Sequence, residues 1–139
     1  MKINFHFKNR LSLKNRKKLK NFIFEQVILE KKTPVSLSFV FCSDKEVLKI
    51  NQTYLNHDYY TDIITFDLSE FKSKSIEGEI YISVDRVKEN AQTYKNSLST
   101  ELHRIIFHGV LHLCGFNDKT QKEKKRMTAK ENEWLGKYF

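Results

Sequence analysis

A helix that must stop and turn back is written into residues 108–118. The stretch runs His108, Gly109, Val110, Leu111, His112, Leu113, Cys114, Gly115, Phe116, Asn117, Asp118, the pattern H-x-x-x-H-x-x-G-x-x-D. Two imidazoles four residues apart share one face of an α-helix. Gly115, three residues after the second, suits a chain leaving the helix and reversing. Asp118 can then swing a carboxylate toward the same point. Three protein ligands with a fourth position open is the plan of a catalytic zinc, because structural zinc sites close all four. A His pair alone at this spacing is often ordinary imidazole. The Gly and the Asp at their offsets turn the reading to a metal. The expectation is one zinc ion per chain, held by His108, His112 and Asp118 in a metal-dependent hydrolase.

One absence narrows the substrate. Metzincin proteases carry Glu directly after the first His, where it serves as general base. Here that position is Gly109, although Gly costs about 1 kcal/mol inside a helix relative to Ala. Zinc can still acidify a water to near neutrality. The substrate expected is therefore not a peptide.

Periodicity gives the element order. Ile3, Phe5 and Phe7 alternate with polar residues as a first strand. Ser12 is a candidate cap for a helix to about Lys31, with Leu19, Phe22, Ile23 and Val27 as its apolar stripe. Val35, Leu37, Phe39 and Phe41 alternate as a second strand. Ser43 and Glu46 form a capping-box pair before a short helix with Val47, Leu48 and Tyr54. Ile63 to Leu68 reads as a third strand, Glu70 to Glu77 as a polar loop, and Gly78 to Val84 as a fourth strand. Val87, Ala91 and Tyr94 mark another helix. Ser99 or Thr100 would cap the metal helix, which runs to Cys114. Thr120 and Glu123 open a last helix with Met127, Trp134 and Leu135, closing near Gly136. The class expected is α+β: a single domain over 1–139, with a mixed sheet of about four strands, about five helices and a zincin-like metal helix.

Charge points to a polyanion. The 139 residues carry a net charge of +8. Between Lys8 and Lys20 no acid interrupts the basic run, and Lys14, Lys17 and Lys18 are candidate nucleic-acid contacts. A second cluster spans Lys119 to Arg126. Each alone is as compatible with a solvated face. With a metal site beside them, the nucleic-acid reading is the better one. No apolar run is long enough to span a bilayer, and no signal-peptide segment is evident at the N-terminus. Cys42 and Cys114 lack ligand spacing and read as free thiols in a reducing cytoplasm.

The metal stretch, with its H-G-x-L-H-L-x-G run, resembles the YbeY family of bacterial endoribonucleases. Asn51, Tyr54, Thr61, Asp62 and Phe66 resemble the family segment N-x-x-Y-R…T-D-x-x-x-F, and Gly78, Glu79, Ile80 and Ile82 its G-[DE]-I-x-I strand. The resemblance covers roughly residues 45 to 135. It implies a zinc-dependent, single-strand-specific endoribonuclease that matures the small-subunit rRNA 3′ end in ribosome quality control. Its partners would be ribosomal RNA, the ribosome, and ribosomal or assembly proteins, with no membrane. His108 and His112 fall on the first two family ligands. Asp118 stands where the third is usually His, which keeps a zinc ligand but widens occupancy toward manganese or magnesium. Leu55 stands where the family usually has Arg, a natural phosphate clamp. Arg104, four residues before His108 on the same face, is the candidate replacement, or else it pairs with an acid. The Leu55 departure also supports an alternative function, a ribosome-associated metal-binding assembly factor with little nuclease activity.

Several other residues allow two readings. His57 and Asp58 could touch RNA or be ordinary loop residues. His103 points away from His108. Met127 fits a helix core. Thr61 and Asp62 could orient a ligand histidine or simply start a strand.

Overall fold

The computed structural model describes residues 1–139. The elements in chain order are β1 (Lys2–Phe7), α1 (Arg16–Leu29), β2 (Thr33–Cys42), α2 (Asp44–Leu55), β3 (Ile63–Asp67), β4 (Ser75–Ser83), α3 (Val84–Thr93), α4 (Leu98–Leu113) and α5 (Gln121–Tyr138). One sheet orders its strands β1-β2-β4-β3, with β1, β2 and β4 parallel and β3 antiparallel on the outer edge. The expected α+β class, mixed four-stranded sheet and five helices are all present.

Local signals fixed some boundaries and missed others. Thr120 and Glu123 make the full reciprocal capping box of α5. Ser43 accepts from the Glu46 amide and so caps α2. The first helix starts later than Ser12: Asn15, in left-handed conformation, precedes Arg16 and makes no side-chain cap. Lys8, Arg10 and Lys14 therefore lie before the helix. The cap of α4 is Ser97, accepting from the Thr100 amide, rather than Ser99 or Thr100. The polar loop ends earlier than Glu77, because Ser75 to Glu77 pair with the start of β2 from Thr33 to Ser36. Val84 opens α3 instead of closing β4, with Ser83 as its cap.

Burial follows from the sheet's two covered faces. Leu37, Phe39 and Phe41 of β2 face the main core with Leu19 and Ile23 of α1, Ile106 and Phe107 of α4, and Trp134 of α5. Cys42 faces the other way, into a small cluster with Val47 of α2 and Ile64 of β3. Covered on both sides, the end of β2 is apolar at successive residues, as parallel strands are. Both cysteines are free and buried. Burial pushes the Cys42 thiol up to about 11 and the Cys114 thiol up to about 12, so neither offers a thiolate at neutral pH.

Two glycines let α4 lie close to the sheet. A Cβ on Gly78 would stand 2.7 Å from the Phe66 carbonyl oxygen and 2.8 Å from Leu113. A Cβ on Gly109 would meet Ile80 at 3.0 Å and Ile63 at 3.1 Å. Position 109 is thus a packing position turned to the sheet. Helix–sheet contact gives the missing glutamate a steric explanation that is independent of substrate class.

Candidate metal centre

The end of α4 is built to bring Asp118 back. Phe116 N–H donates to Leu111 O and Gly115 N–H to His112 O, both at 3.0 Å. This is the six-to-one and five-to-two pairing of a Schellman motif, and Gly115 supplies its positive φ of 102°. The capping box at Thr120 then starts α5. Asp118 sits in the short segment fixed at both ends by these two motifs.

The three predicted ligands converge. The offered atoms of His108, His112 and Asp118 all lie within 4.8 Å of one another. Asp118 Oδ2 is 3.3 Å from both His108 Nε2 and His112 Nε2. The two rings meet edge to face, 4.6 Å between centroids. Two imidazole nitrogens and one carboxylate oxygen on a common point, each half-buried, fit a divalent ion with a position left for solvent or substrate.

Glu131, outside the motif, completes the surroundings of His108. This buried side chain of α5 takes His108 Nδ1 at 2.7 Å through one oxygen and Arg104 Nη1 at 3.0 Å through the other. Arg104 Nη2 also donates to Asn132 at 2.8 Å. Arg104 is thus paired with an acid, the second of its two readings, and its guanidinium braces the group that orients His108. A carboxylate on Nδ1 holds the proton there and aims the Nε2 lone pair at the site. Burial draws the His108 pKa down, but the Glu131 bond and the charges of Glu131, Asp118 and Asp62 outweigh it, and the net shift is upward. A signal was available: Met127, Glu131, Trp134 and Leu135 form the apolar stripe of α5, and an acid on such a stripe needs a partner.

Two clefts, of about 630 and 590 Å³, flank the centre, and His108, Asp118 and Asp62 line both. Arg104, Lys124 and Glu131 belong to the first. Leu55, His57, Thr65 and Lys119 belong to the second, so the position of the family arginine does open on the site. Asp62 makes no hydrogen bond to His108. It receives Asn90 at 3.5 Å, and burial raises its pKa against the opposing charge of His108. Thr61 bonds the Ile63 carbonyl at 3.3 Å, a strand-start contact. Asp58 pairs with Gln52 and His57 with Tyr59. His103 is buried against Tyr138, away from the centre, and Met127 is core. Lys14, Lys17 and Lys18 line neither cleft. Lys17 and Lys18 line a separate recess with Phe22 and Lys137, and Lys18 donates to the Tyr138 carbonyl at 2.8 Å; on the same helix Arg16 stacks on Phe7 and Lys20 on Phe5 of β1, the edge strand opposite β3.

Glu131 gives a quantitative test of the second layer. Glu131→Gln keeps the size and removes the charge behind His108. Divalent-ion affinity should fall about tenfold or more, read by competition with a chromogenic chelator. An unchanged affinity would take Glu131 out of the centre.

A four-stranded α+β domain with two histidines and an aspartate gathered at the end of one helix defines a class, that of candidate metal-centre proteins with a cleft along an edge strand. Comparison with known proteins narrows it. The family described as Endoribonuclease YbeY matches residues 2–138. A Cytophaga hutchinsonii protein named Endoribonuclease YbeY is 48% identical over 133 residues, 94% of this chain and 92% of that one. A protein of the same name from Parabacteroides distasonis is 50% identical over 99 residues, covering 71% and 68% of the two chains. The solution structure of a Thermotoga maritima protein superposes with a TM-score of 0.64 at 28% identity, over 99% of this chain and 89% of that one. The chain belongs to the YbeY endoribonuclease family.

Proposed function

We propose that this chain is a metal-dependent endoribonuclease that cuts single-stranded RNA. In this reading it acts in the cytoplasm on the small-subunit rRNA 3′ end, as a maturation and quality-control step at the ribosome. The observation that carries the reading is the convergence of His108, His112 and Asp118 beside an open cleft, in a member of this family. No helix is long and apolar enough to cross a membrane. One zinc ion is the cofactor proposed, with manganese or magnesium compatible with the Asp118 oxygen.

A divalent ion in this centre supplies Lewis-acid polarisation of a phosphoryl oxygen and lowers the pKa of a coordinated water. The protein's own groups do the rest. His108 and His112 present their Nε2 atoms to the centre, Glu131 bonds Nδ1 of His108, and Arg104 holds Glu131. Asp62, Asp67 and Asp118 make the β3-side cleft acidic, so a bound cation favours the entry of a polyanionic strand. Lys119 and Lys124, one in each cleft, are placed to draw phosphates toward it. Lys119 is the one Lys or Arg lining the cleft into which Leu55 opens, and takes the place of the family arginine there. A second reading, a metal-binding assembly factor with weak cleavage, rests on Leu55 itself.

The test is a substrate panel of single-stranded RNA, duplex RNA, single-stranded DNA and peptide, each with zinc, manganese or magnesium. Cleavage of single-stranded RNA above all others supports the reading. Tight RNA binding with no cleavage under any metal would favour the assembly factor.

Lys14, Lys17 and Lys18 remain candidates for long-range attraction. Replacing all three with Gln should flatten the log–log salt dependence of RNA binding by up to about 2 units, at roughly 0.7 per phosphate contact. Metal content should not change. An unaltered slope would make that run a solvated surface and leave the RNA path to Lys119 and Lys124.

A further inference from the structure

The outer edge of β3 joins the cleft to a second recess on the other face of the sheet. This recess, of about 240 Å³, is lined by Ile50, Tyr54, Phe66, Leu68, Glu79 and Tyr81. Phe66 meets Tyr54 and Tyr81 edge to face, at 6.0 and 5.8 Å. Tyr54 is 71% exposed and Leu68 53% exposed, a large apolar outlay for surface positions. Among these rings stands Glu79. Its Oε2 accepts the Tyr81 hydroxyl at 2.7 Å, and no Lys, Arg or His pairs with it.

Strand register ties the recess to the cleft. Ser83 N–H donates to Asp62 O and Leu68 N–H to Glu77 O. Asp62, Ile64, Phe66 and Leu68 are therefore the residues bonded to β4, because bonded pairs alternate along an antiparallel ladder. Thr65 and Asp67 turn their N–H groups to the open edge, and both line the cleft beside His108 and His112. A strand leaving the centre meets these unpaired amides first. One residue to either side, Phe66 and Leu68 form the wall of the recess.

We propose that this recess binds one nucleobase of the RNA strand held in the cleft, with the base's amino edge toward Glu79. The inference rests on the RNA-cleaving reading above. Stacking surfaces that bind unpaired bases are aromatic and sequence-tolerant. A lone carboxylate repels phosphate and accepts only from donors. Adenine, cytosine and guanine each offer an exocyclic amino group. Uracil offers a single N–H between two carbonyls, which the carboxylate disfavours.

Binding of labelled oligo-A, oligo-C and oligo-U to the full chain in chelator, where cleavage is stopped, tests the proposal. The parent should bind oligo-A and oligo-C more tightly than oligo-U. Tyr54→Ala, at an exposed position, should weaken oligo-A and oligo-C binding by about fivefold or more with an unchanged salt slope, and Tyr54→Phe should restore it. Glu79→Gln, which still accepts the Tyr81 hydroxyl, should narrow the gap between oligo-A and oligo-U. Parent-like binding of every oligomer by both Tyr54→Ala and Glu79→Gln would overturn the proposal, and is also the result if the recess serves a protein segment. A parent that binds no single-stranded RNA, either in chelator or with zinc restored, would overturn the RNA-cleaving reading itself, and this inference with it.

Discussion

His112→Ala is expected to strip the centre of its ion while leaving the fold intact. The imidazole is one of the three proposed ligands, and its side chain is 27% exposed, so no core cavity opens on its removal. Loss of an orienting partner alone typically costs 10–100-fold in metal affinity, so loss of a ligand should cost at least about 100-fold. Titration calorimetry with zinc reads the affinity, and a thermal melt in chelator checks the fold. Salt-dependent RNA binding through the lysines should persist, because phosphate contacts do not need the ion. Asp118 gives the graded version. Asp118→Ala should lose much of the affinity, whereas Asp118→His keeps a ligand at that place. Zinc affinity equal to the parent in His112→Ala would remove the centre from the account.

The second large effect is structural. Gly109→Glu places a side chain where even a Cβ stands 3.0 Å from Ile80 and 3.1 Å from Ile63. Overpacking of this kind costs about 1–3 kcal/mol, and an unpaired buried carboxylate about 3–5 kcal/mol. Domains of this size are stable by only about 5–15 kcal/mol. The variant should therefore show a sharply lower urea midpoint or fail to accumulate in soluble form. A midpoint within error of the parent would mean that α4 does not lie as close to the sheet as Gly78 and Gly109 allow.

What the sequence disclosed and what it hid divide along one line, the range of the interaction. The helix-then-turn of residues 108–118 is local, since Gly115 and the capping box at Thr120 act within a few residues. That is why the gathering of His108, His112 and Asp118 was legible as spacing alone. Glu131 reaches His108 from a different helix, and nothing in the spacing of the two positions announces the contact. The extension of β4 to Ser75 is hidden for the same reason: its polar residues are strand only because Thr33 to Ser36 lie alongside. Gly109 invited a chemical explanation from sequence, and the packing of α4 on Ile80 supplies a steric one. The basic run up to Lys20 is legible as charge, but that Lys14, Lys17 and Lys18 stand outside both clefts depends on how α1 packs.

The most direct test of the central claim uses a circular single-stranded RNA, which has no ends and can be opened only from within. Protein stripped with chelator is incubated with the circle before and after one equivalent of zinc is added back, alongside His112→Ala treated identically. The account predicts linear product from the reloaded parent, and none from the stripped parent or from His112→Ala. An intact circle with fully loaded parent under zinc, manganese and magnesium alike, or equal linearisation by His112→Ala, would contradict it.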